Sequence, residues 1–168
     1  MLKNLQFLAA AFISFAPLLS HAQFISNGPQ DRPAIARPDP VTYLFPEQVT
    51  LPAGKPNPVA LHFRVAQGLH INSHTPSAAF LIPTDFSIPD GSGVRLVTAS
   101  YPAGAIITLA ADPETRLSVY TGQFIIQARI TASPGNHLVQ GKLHYQACDQ
   151  SQCLPPKTIN VPIDVIGK

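Results

Sequence analysis

The chain has 168 residues, the length of one domain with little left over. Hydrophobic residues make up 45% and charged residues only 12%, which excludes a chain kept disordered by high charge and low hydrophobicity. The formal net charge of +2 is too small for the clustered basic face of a nucleic-acid-binding protein, so we expect no nucleic-acid partner.

The N-terminus has the features of a secretory signal peptide. Lys3 precedes an almost wholly apolar stretch over residues 5–19, and the tripeptide Ser20-His21-Ala22 offers a small-x-small cleavage site. The alternative is a membrane anchor, but this stretch is shorter than the roughly 20 residues that a spanning helix needs. We therefore predict a signal peptide over residues 1–22 and no membrane span in the mature chain.

Residues 23–40 carry four prolines and no periodic apolar pattern, which indicates an extended linker or an arm lying on the domain. From residue 41 onwards, apolar and polar residues alternate as in strands with one buried face. The predicted strands cover residues 41–45, 48–51, 59–65, 68–72, 85–88, 94–100, 117–120, 124–131, 139–147 and 159–166.

These strands predict one all-β domain over residues 41–168, an immunoglobulin-like antiparallel β-sandwich. No segment shows a helical stripe, and proline or glycine recurs every ~8–12 residues, as in an antiparallel sandwich. Pro162 has no N–H group, so we expect its strand to lie at a sheet edge or this position to face away from a partner.

The two cysteines, Cys148 and Cys153, lie at the junction of the last two predicted strands with four residues between them. Opposed residues of an antiparallel pair have Cα atoms about 4.5–5.5 Å apart, which permits a disulfide across this hairpin. As a structural staple, so short a loop contributes only about 2 kcal/mol in the chain-entropy model. From the residues alone, the pair can be interpreted either as redox-active or as a structural disulfide.

A soft metal site is a third alternative. His144 shares a predicted strand face with Cys148, and these two residues with Cys153 would make a three-ligand copper site. The mature chain has no methionine and no paired CxxC spacing, so we expect no metal. The remaining internal histidines are interpreted as ordinary polar positions: His62, His70, His74 and His137.

The segment YQACDQSQCLPP, residues 145–156, resembles the active-site hairpin of the N-terminal periplasmic domain of the thiol:disulfide interchange protein DsbD. Four further segments occur in the order found in that family, so the resemblance covers about residues 40–166. They are GLHINSHTP at 68–76, LIPT at 81–84, YP at 101–102 and LSVYTG at 117–122.

The resemblance implies a periplasmic immunoglobulin-like sandwich that carries a reactive dithiol and needs no cofactor. In the family, a transmembrane domain and a thioredoxin-like domain pass electrons to this domain, which then reduces thioredoxin-like periplasmic proteins. By the same resemblance, Cys153 forms the mixed disulfide with the partner and Cys148 resolves it.

The sequence departs from the family pattern in two ways. It shows no transmembrane segment and no thioredoxin domain, so we expect the electron donor to be a separate DsbD-like membrane carrier. The family covers its cysteines with a cap loop bearing an aromatic residue, whereas residues 105–116 here contain none. Leu109 is the expected shield in its place.

The attacking form of a thiol is the thiolate, and the sequence near the cysteines offers few charges that would stabilise it. Asp149 adjoins Cys148 and disfavours its ionisation, while His144 and Lys157 are the nearest cations in sequence. The candidate modulating residues are Leu109, His144, Tyr145, Asp149 and Lys157. We predict a thiol–disulfide oxidoreductase that reacts through docked complexes. The alternative is a non-catalytic binding or scaffold domain with a structural hairpin disulfide.

Overall fold

The computed structural model describes residues 39–45, 47–109 and 112–168, and residues 37–168 form one compact unit. The predicted signal peptide, 1–22, and most of the predicted linker, 23–40, lie outside the described residues. The described residues form twelve β-strands. In chain order these are β1 (Val41–Tyr43), β2 (Glu47–Leu51), β3 (Asn57–Val65), β4 (His70–Asn72), β5 (Asp85–Ser87), β6 (Val94–Ser100), β7 (Ala105–Leu109), β8 (Asp112–Tyr120), β9 (Gln123–Ala132), β10 (Gly135–Tyr145), β11 (Ala147–Cys148) and β12 (Lys157–Gly167).

Two four-stranded sheets, ordered β1-β3-β9-β6 and β2-β12-β10-β5, enclose the core. Alternate residues of their long strands are buried, as the period-two pattern predicts, and Phe63, Ile126, Val139 and Val161 are wholly buried between the sheets. The predicted all-β immunoglobulin-like sandwich is thus confirmed. No helix in the described part of the chain has the length and apolar character to cross a membrane.

A third sheet, ordered β11-β4-β8-β7, holds the cysteine segment. β10 ends at Tyr145, and the chain then leaves its sheet to pair Ala147 with Ile71 of β4. The sequence places the cysteines at the junction of the last two predicted strands, but neither belongs to β10 or β12: Cys148 lies in the separate strand β11, and Cys153 forms an isolated bridge. The break falls at Gln146, whose side-chain amide donates to the carbonyl of Leu154 and draws the returning chain against the third sheet.

The segment 105–116, predicted as a cap loop, is a β-hairpin formed by β7 and the first half of β8. Its strands escaped prediction because β7 is a sheet edge whose residues are all exposed or half-buried, so no buried alternation marks it. The β-branched residues Ile106, Ile107 and Thr108 nevertheless favour an extended backbone.

The last strand, β12, lies inside its sheet between β2 and β10, so the edge position considered for Pro162 is wrong. Its pairing with β2 is parallel and begins at Ile163. Pro162 is opposite Gln140 of β10 and stands one residue before the pairing with β2, so it lies outside the parallel pairing only.

Candidate redox-active site

Cys148 occupies the middle of a three-residue row. It pairs with His70 of β4 on one side and with Cys153 on the other, and the two cysteines form a disulfide. Their Cα atoms are 3.9 Å apart, closer than the sequence analysis expected. Cys148 is only 5% exposed, whereas Cys153 is exposed. A partner thus has access to the sulfur of Cys153 before that of Cys148.

The backbone of the cysteine loop, residues 149–152, is ordered by its own hydrogen bonds. The N–H of Asp149 donates to the carbonyl of Gln152 over 2.9 Å, and the N–H of Leu154 donates to the carbonyl of Ala147 over 2.8 Å. The first bond joins the residues just inside the cysteine pair, and the second joins the residues just outside it. The cysteines are therefore held opposite each other by the backbone as well as by the sulfurs.

The carboxylate of Asp149 has a structural role in this loop. Its Oδ1 atom accepts hydrogen bonds from the N–H and hydroxyl of Ser151, at 2.7 and 2.9 Å, and from the N–H of Gln152 at 2.8 Å. The bonds from Ser151 and Gln152 lower the pKa of Asp149. The charge predicted to oppose a thiolate at Cys148 is thus engaged by three donors of the loop itself.

His70 is the site residue that the sequence analysis missed. It is 4% exposed, and desolvation by burial lowers the pKa of its imidazole, with the Asp149 carboxylate opposing that fall. Its strand was predicted, but the pairing of this strand with the cysteine segment was not. A long-range register of this kind leaves no local trace in the sequence. Alternation with the apolar Leu69 and Ile71 would place His70 on the opposite face, but all three residues of β4 are buried.

One cleft beside the disulfide, which we call the disulfide cleft, has a volume of about 460 Å³. Leu69, Ala147, Leu154 and Pro155 give it apolar walls, and Tyr145 also lines it. At its edge the ammonium of Lys157 pairs with the carboxylate of Asp39, the last residue but one of the predicted linker. The positive charge expected to favour a thiolate is therefore partly balanced by Asp39.

Tyr145 is wholly buried, and its hydroxyl has no hydrogen-bond partner among the described residues. Desolvation by burial, reinforced by the Asp39 carboxylate, raises the pKa of Tyr145 to about 12. The backbone of Val41 lies near enough to oppose this rise without making a hydrogen bond to the hydroxyl. Tyr145 is thus a neutral core side chain next to the cysteine segment, not a source of charge.

A second cavity, the histidine cavity, has a volume of about 610 Å³ and shares Ala66, Gln67 and Leu69 with the disulfide cleft. His70 and Gln150 line it together with Ile107 of the β7–β8 hairpin. Leu109, the expected shield, is half-buried and pairs with Asp112 at the end of that hairpin, and it lines neither cavity. Among the described hairpin residues, Ile107 thus shares a cavity with Gln150 of the cysteine loop.

His144 does not join the cysteines. It is exposed on β10, and its Nδ1 atom forms a 3.0 Å hydrogen bond with the hydroxyl of Thr158. Within residues 39–45, 47–109 and 112–168, no three His, Cys, Asp or Glu side chains are grouped to hold a metal ion. The copper alternative therefore lacks its ligand set in this part of the chain.

A family model described as thiol:disulfide interchange protein DsbD, N-terminal, matches residues 40–164. Among solved structures, the reduced N-terminal domain of Neisseria meningitidis DsbD is similar at 18% identity with a TM-score of 0.45, covering 64% of this chain and 77% of that one. The fimbrial subunit AggA of Escherichia coli is similar at 12% identity with a TM-score of 0.33, covering 77% and 95%. No curated protein matches the sequence.

Proposed function

Since the chain belongs to the family of N-terminal domains of the thiol:disulfide interchange protein DsbD, we propose that it relays reducing equivalents between a separate DsbD-like membrane carrier and thioredoxin-like periplasmic proteins. The family and the disulfide between Cys148 and Cys153 identify a thiol–disulfide exchange module. The family is one of periplasmic domains, and we propose export by the signal peptide over residues 1–22. The single observation that carries the proposal is a disulfide whose two cysteines differ in exposure.

The exposure difference supports an order of reaction for the two cysteines. Thiol–disulfide exchange proceeds by attack of a thiolate on a disulfide sulfur, and access limits which sulfur reacts. Cys153 is exposed and Cys148 is buried, so Cys153 is the sulfur that forms the mixed disulfide. Cys148, fixed opposite Cys153 by strand pairing, then resolves it.

The surroundings of the cysteines favour exchange within docked complexes. No cation is held against Cys153 by the hydrogen bonds or ion pairs of the described residues, since Lys157 pairs with Asp39 and His144 bonds to Thr158. An unassisted thiol has a pKa near 8.5, so only a few per cent of it is thiolate at neutral pH. A docked partner that excludes water and adds its own charges would supply the activation that the free domain lacks.

The trapping of mixed disulfides tests this function. In a Cys148→Ser variant, Cys153 still attacks a partner disulfide but the adduct cannot be resolved, so it should accumulate. We expect reduced Cys148→Ser protein to form adducts with purified oxidised thioredoxin-like periplasmic proteins, visible as bands that disappear on reduction. A Cys153→Ser variant is the matched control and should form almost none, because its remaining thiol is buried.

A redox titration separates the relay from the scaffold alternative. A structural disulfide has a reduction potential below about −300 mV, whereas an exchange-active pair has a higher potential. A value well below that limit, together with the absence of adducts in the Cys148→Ser variant, would reject the relay and leave a domain with a hairpin staple.

A further inference from the structure

The row His70, Cys148, Cys153 places an imidazole directly beside the buried cysteine. Residues opposite each other in an antiparallel pair project to the same face, with Cβ atoms about 4.5–5.5 Å apart. Cys148 is opposite His70 in the pairing of β11 with β4, and opposite Cys153 in the isolated bridge. The register thus places His70 and Cys153 on either side of Cys148, with all three side chains on one face.

We propose that His70 accepts the proton of the Cys148 thiol when Cys148 resolves the mixed disulfide. Cys148 needs such help more than Cys153 does, because a buried thiol ionises less readily than one in water. This inference rests on the proposed function, in which Cys148 is the resolving thiol. Among the described residues, His70 is the titratable side chain paired with Cys148 across the strands.

The exchange can be written in two balanced steps. In the first, the thiolate of Cys153 attacks the partner disulfide; a bond forms between the two sulfurs, and the other partner sulfur leaves with the electron pair. In the second, the thiol proton of Cys148 passes to a ring nitrogen of His70, and the Cys148 sulfur attacks Cys153. The Cys148–Cys153 bond forms, the bond to the partner breaks, and the released partner thiolate takes up a proton. The partner gains two electrons and the cysteine pair loses two.

The protonation state of His70 suits this role. Its burial lowers the pKa of the imidazole, so the ring is neutral at neutral pH and has a free nitrogen for a proton. Asp149 on the cysteine loop favours the protonated ring once it forms. Arg64 is the charged residue that lines the histidine cavity; β7 and the turn before β9 contribute only uncharged residues to it.

The reaction with DTNB, a small aromatic disulfide that releases a coloured thiolate, measures the two steps separately. The first release reports attack by Cys153, and the second reports resolution by Cys148. An unassisted thiol with a pKa near 8.5 is about 3% thiolate at pH 7, so losing a full proton acceptor slows resolution by up to ~30-fold. We expect the His70→Asn variant to slow the second release by roughly 10- to 30-fold and to leave the first unchanged.

The pH profile distinguishes proton transfer from a structural effect. In His70→Asn, the rate of the second release should rise about tenfold per pH unit up to the thiol pKa, as for an unassisted thiol. In the native chain the rate should level off at lower pH, once His70 is neutral. His144→Asn, an exposed histidine bonded to Thr158, is the matched control and should keep the native profile. Equal rates and profiles in the His70→Asn and native proteins would overturn the proposal.

A second measurement covers the case in which His70→Asn does not fold. The nuclear magnetic resonance titration of the His70 ring should have different midpoints in the reduced native protein and in the reduced Cys148→Ala variant, because the two groups share a proton. Identical midpoints would also overturn the proposal. Because DTNB needs no partner protein, a failure to capture thioredoxin-like proteins rejects the relay but leaves this result standing.

Discussion

Tyr145 shows how a residue of the active-site motif can also be a large part of the core. It is among the largest wholly buried side chains, and it ends the strand that leads into the cysteine segment. Its hydroxyl, however, has no hydrogen-bond partner among the described residues. A buried hydroxyl without a partner costs about 1–3 kcal/mol, so the ring stabilises the fold while the hydroxyl opposes it.

Removing the Tyr145 hydroxyl should therefore not destabilise the fold. We expect Tyr145→Phe to leave the free energy of unfolding unchanged or to raise it by up to ~1 kcal/mol, whereas Tyr145→Ala should lower it by about 3–5 kcal/mol. Urea denaturation at neutral pH measures both values. A loss of more than ~1 kcal/mol in Tyr145→Phe would mean that the hydroxyl has a stabilising partner.

The same variant should alter the alkaline limit of stability. The pKa of Tyr145 is raised to about 12 in the folded chain, against about 10 in the unfolded chain. Between these values the unfolded chain binds fewer protons, so its ionisation makes stability fall as pH rises. Denaturation curves across this window should show a smaller fall for Tyr145→Phe than for the native protein.

At the scale of the strand, the packing of β10 against β5 depends on a residue without a side chain. A Cβ atom at Gly141 of β10 would lie 2.8 Å from the ring of Phe86 in β5 and 3.1 Å from the carbonyl oxygen of Val161 in β12. Phe86 is 3% exposed and belongs to the core, so its ring has little room to move. The absence of a side chain at Gly141 thus leaves the space into which the Phe86 ring packs.

Gly141→Ala should overpack this contact. We expect the free energy of unfolding to fall by about 1–3 kcal/mol, less the few tenths gained from a stiffer unfolded chain. Guanidinium denaturation measures the change, and a double-mutant cycle with Phe86→Leu tests its cause. If the ring is the obstacle, the cost of Gly141→Ala should shrink when Phe86 is already Leu. A Gly141→Ala protein as stable as the native one would contradict this account.

At the scale of the whole molecule, the disulfide lies at the border of the core. The core cluster of the described residues contains neither cysteine, although it includes Ala147, directly before Cys148, and Ile71, which pairs with Ala147. Cys148 is buried at this border, whereas Cys153 is exposed on the loop that follows. The fold should therefore tolerate the reduction of the disulfide, as a domain that cycles between two redox states requires.

Reducing the disulfide should cost little stability. For so short a loop the chain-entropy model gives about 2 kcal/mol, and the backbone bonds around the loop should lower that figure. Denaturation curves with and without dithiothreitol measure it, and a Cys148→Ala/Cys153→Ala chain, which should not respond to the reductant, is the control. Cooperative unfolding on reduction alone would instead favour the scaffold alternative.

How well the sequence predicts each part of this molecule depends on whether the pattern that marks it is local or arises from pairing between distant segments. β3 and β9 lie close to their predicted bounds because their buried residues recur at every second position. β7 has no such alternation, since it is an exposed edge with Ile106 pointing into solvent. The cysteine pair was apparent from its spacing, but the neighbour His70 depends on a register between distant segments that no local pattern encodes.

The two backbone hydrogen bonds that bracket the cysteines have a kinetic consequence. Neither the bond from Asp149 to Gln152 nor that from Leu154 to Ala147 involves a sulfur atom, so we expect both to remain when the disulfide opens. Well-oriented groups within one molecule react as if present at concentrations of ~10⁵–10⁸ M. Cys148 should therefore attack the mixed disulfide faster than any free thiol in solution. In the proposed relay, each docking event would then transfer its two electrons together and release the partner without leaving it tethered.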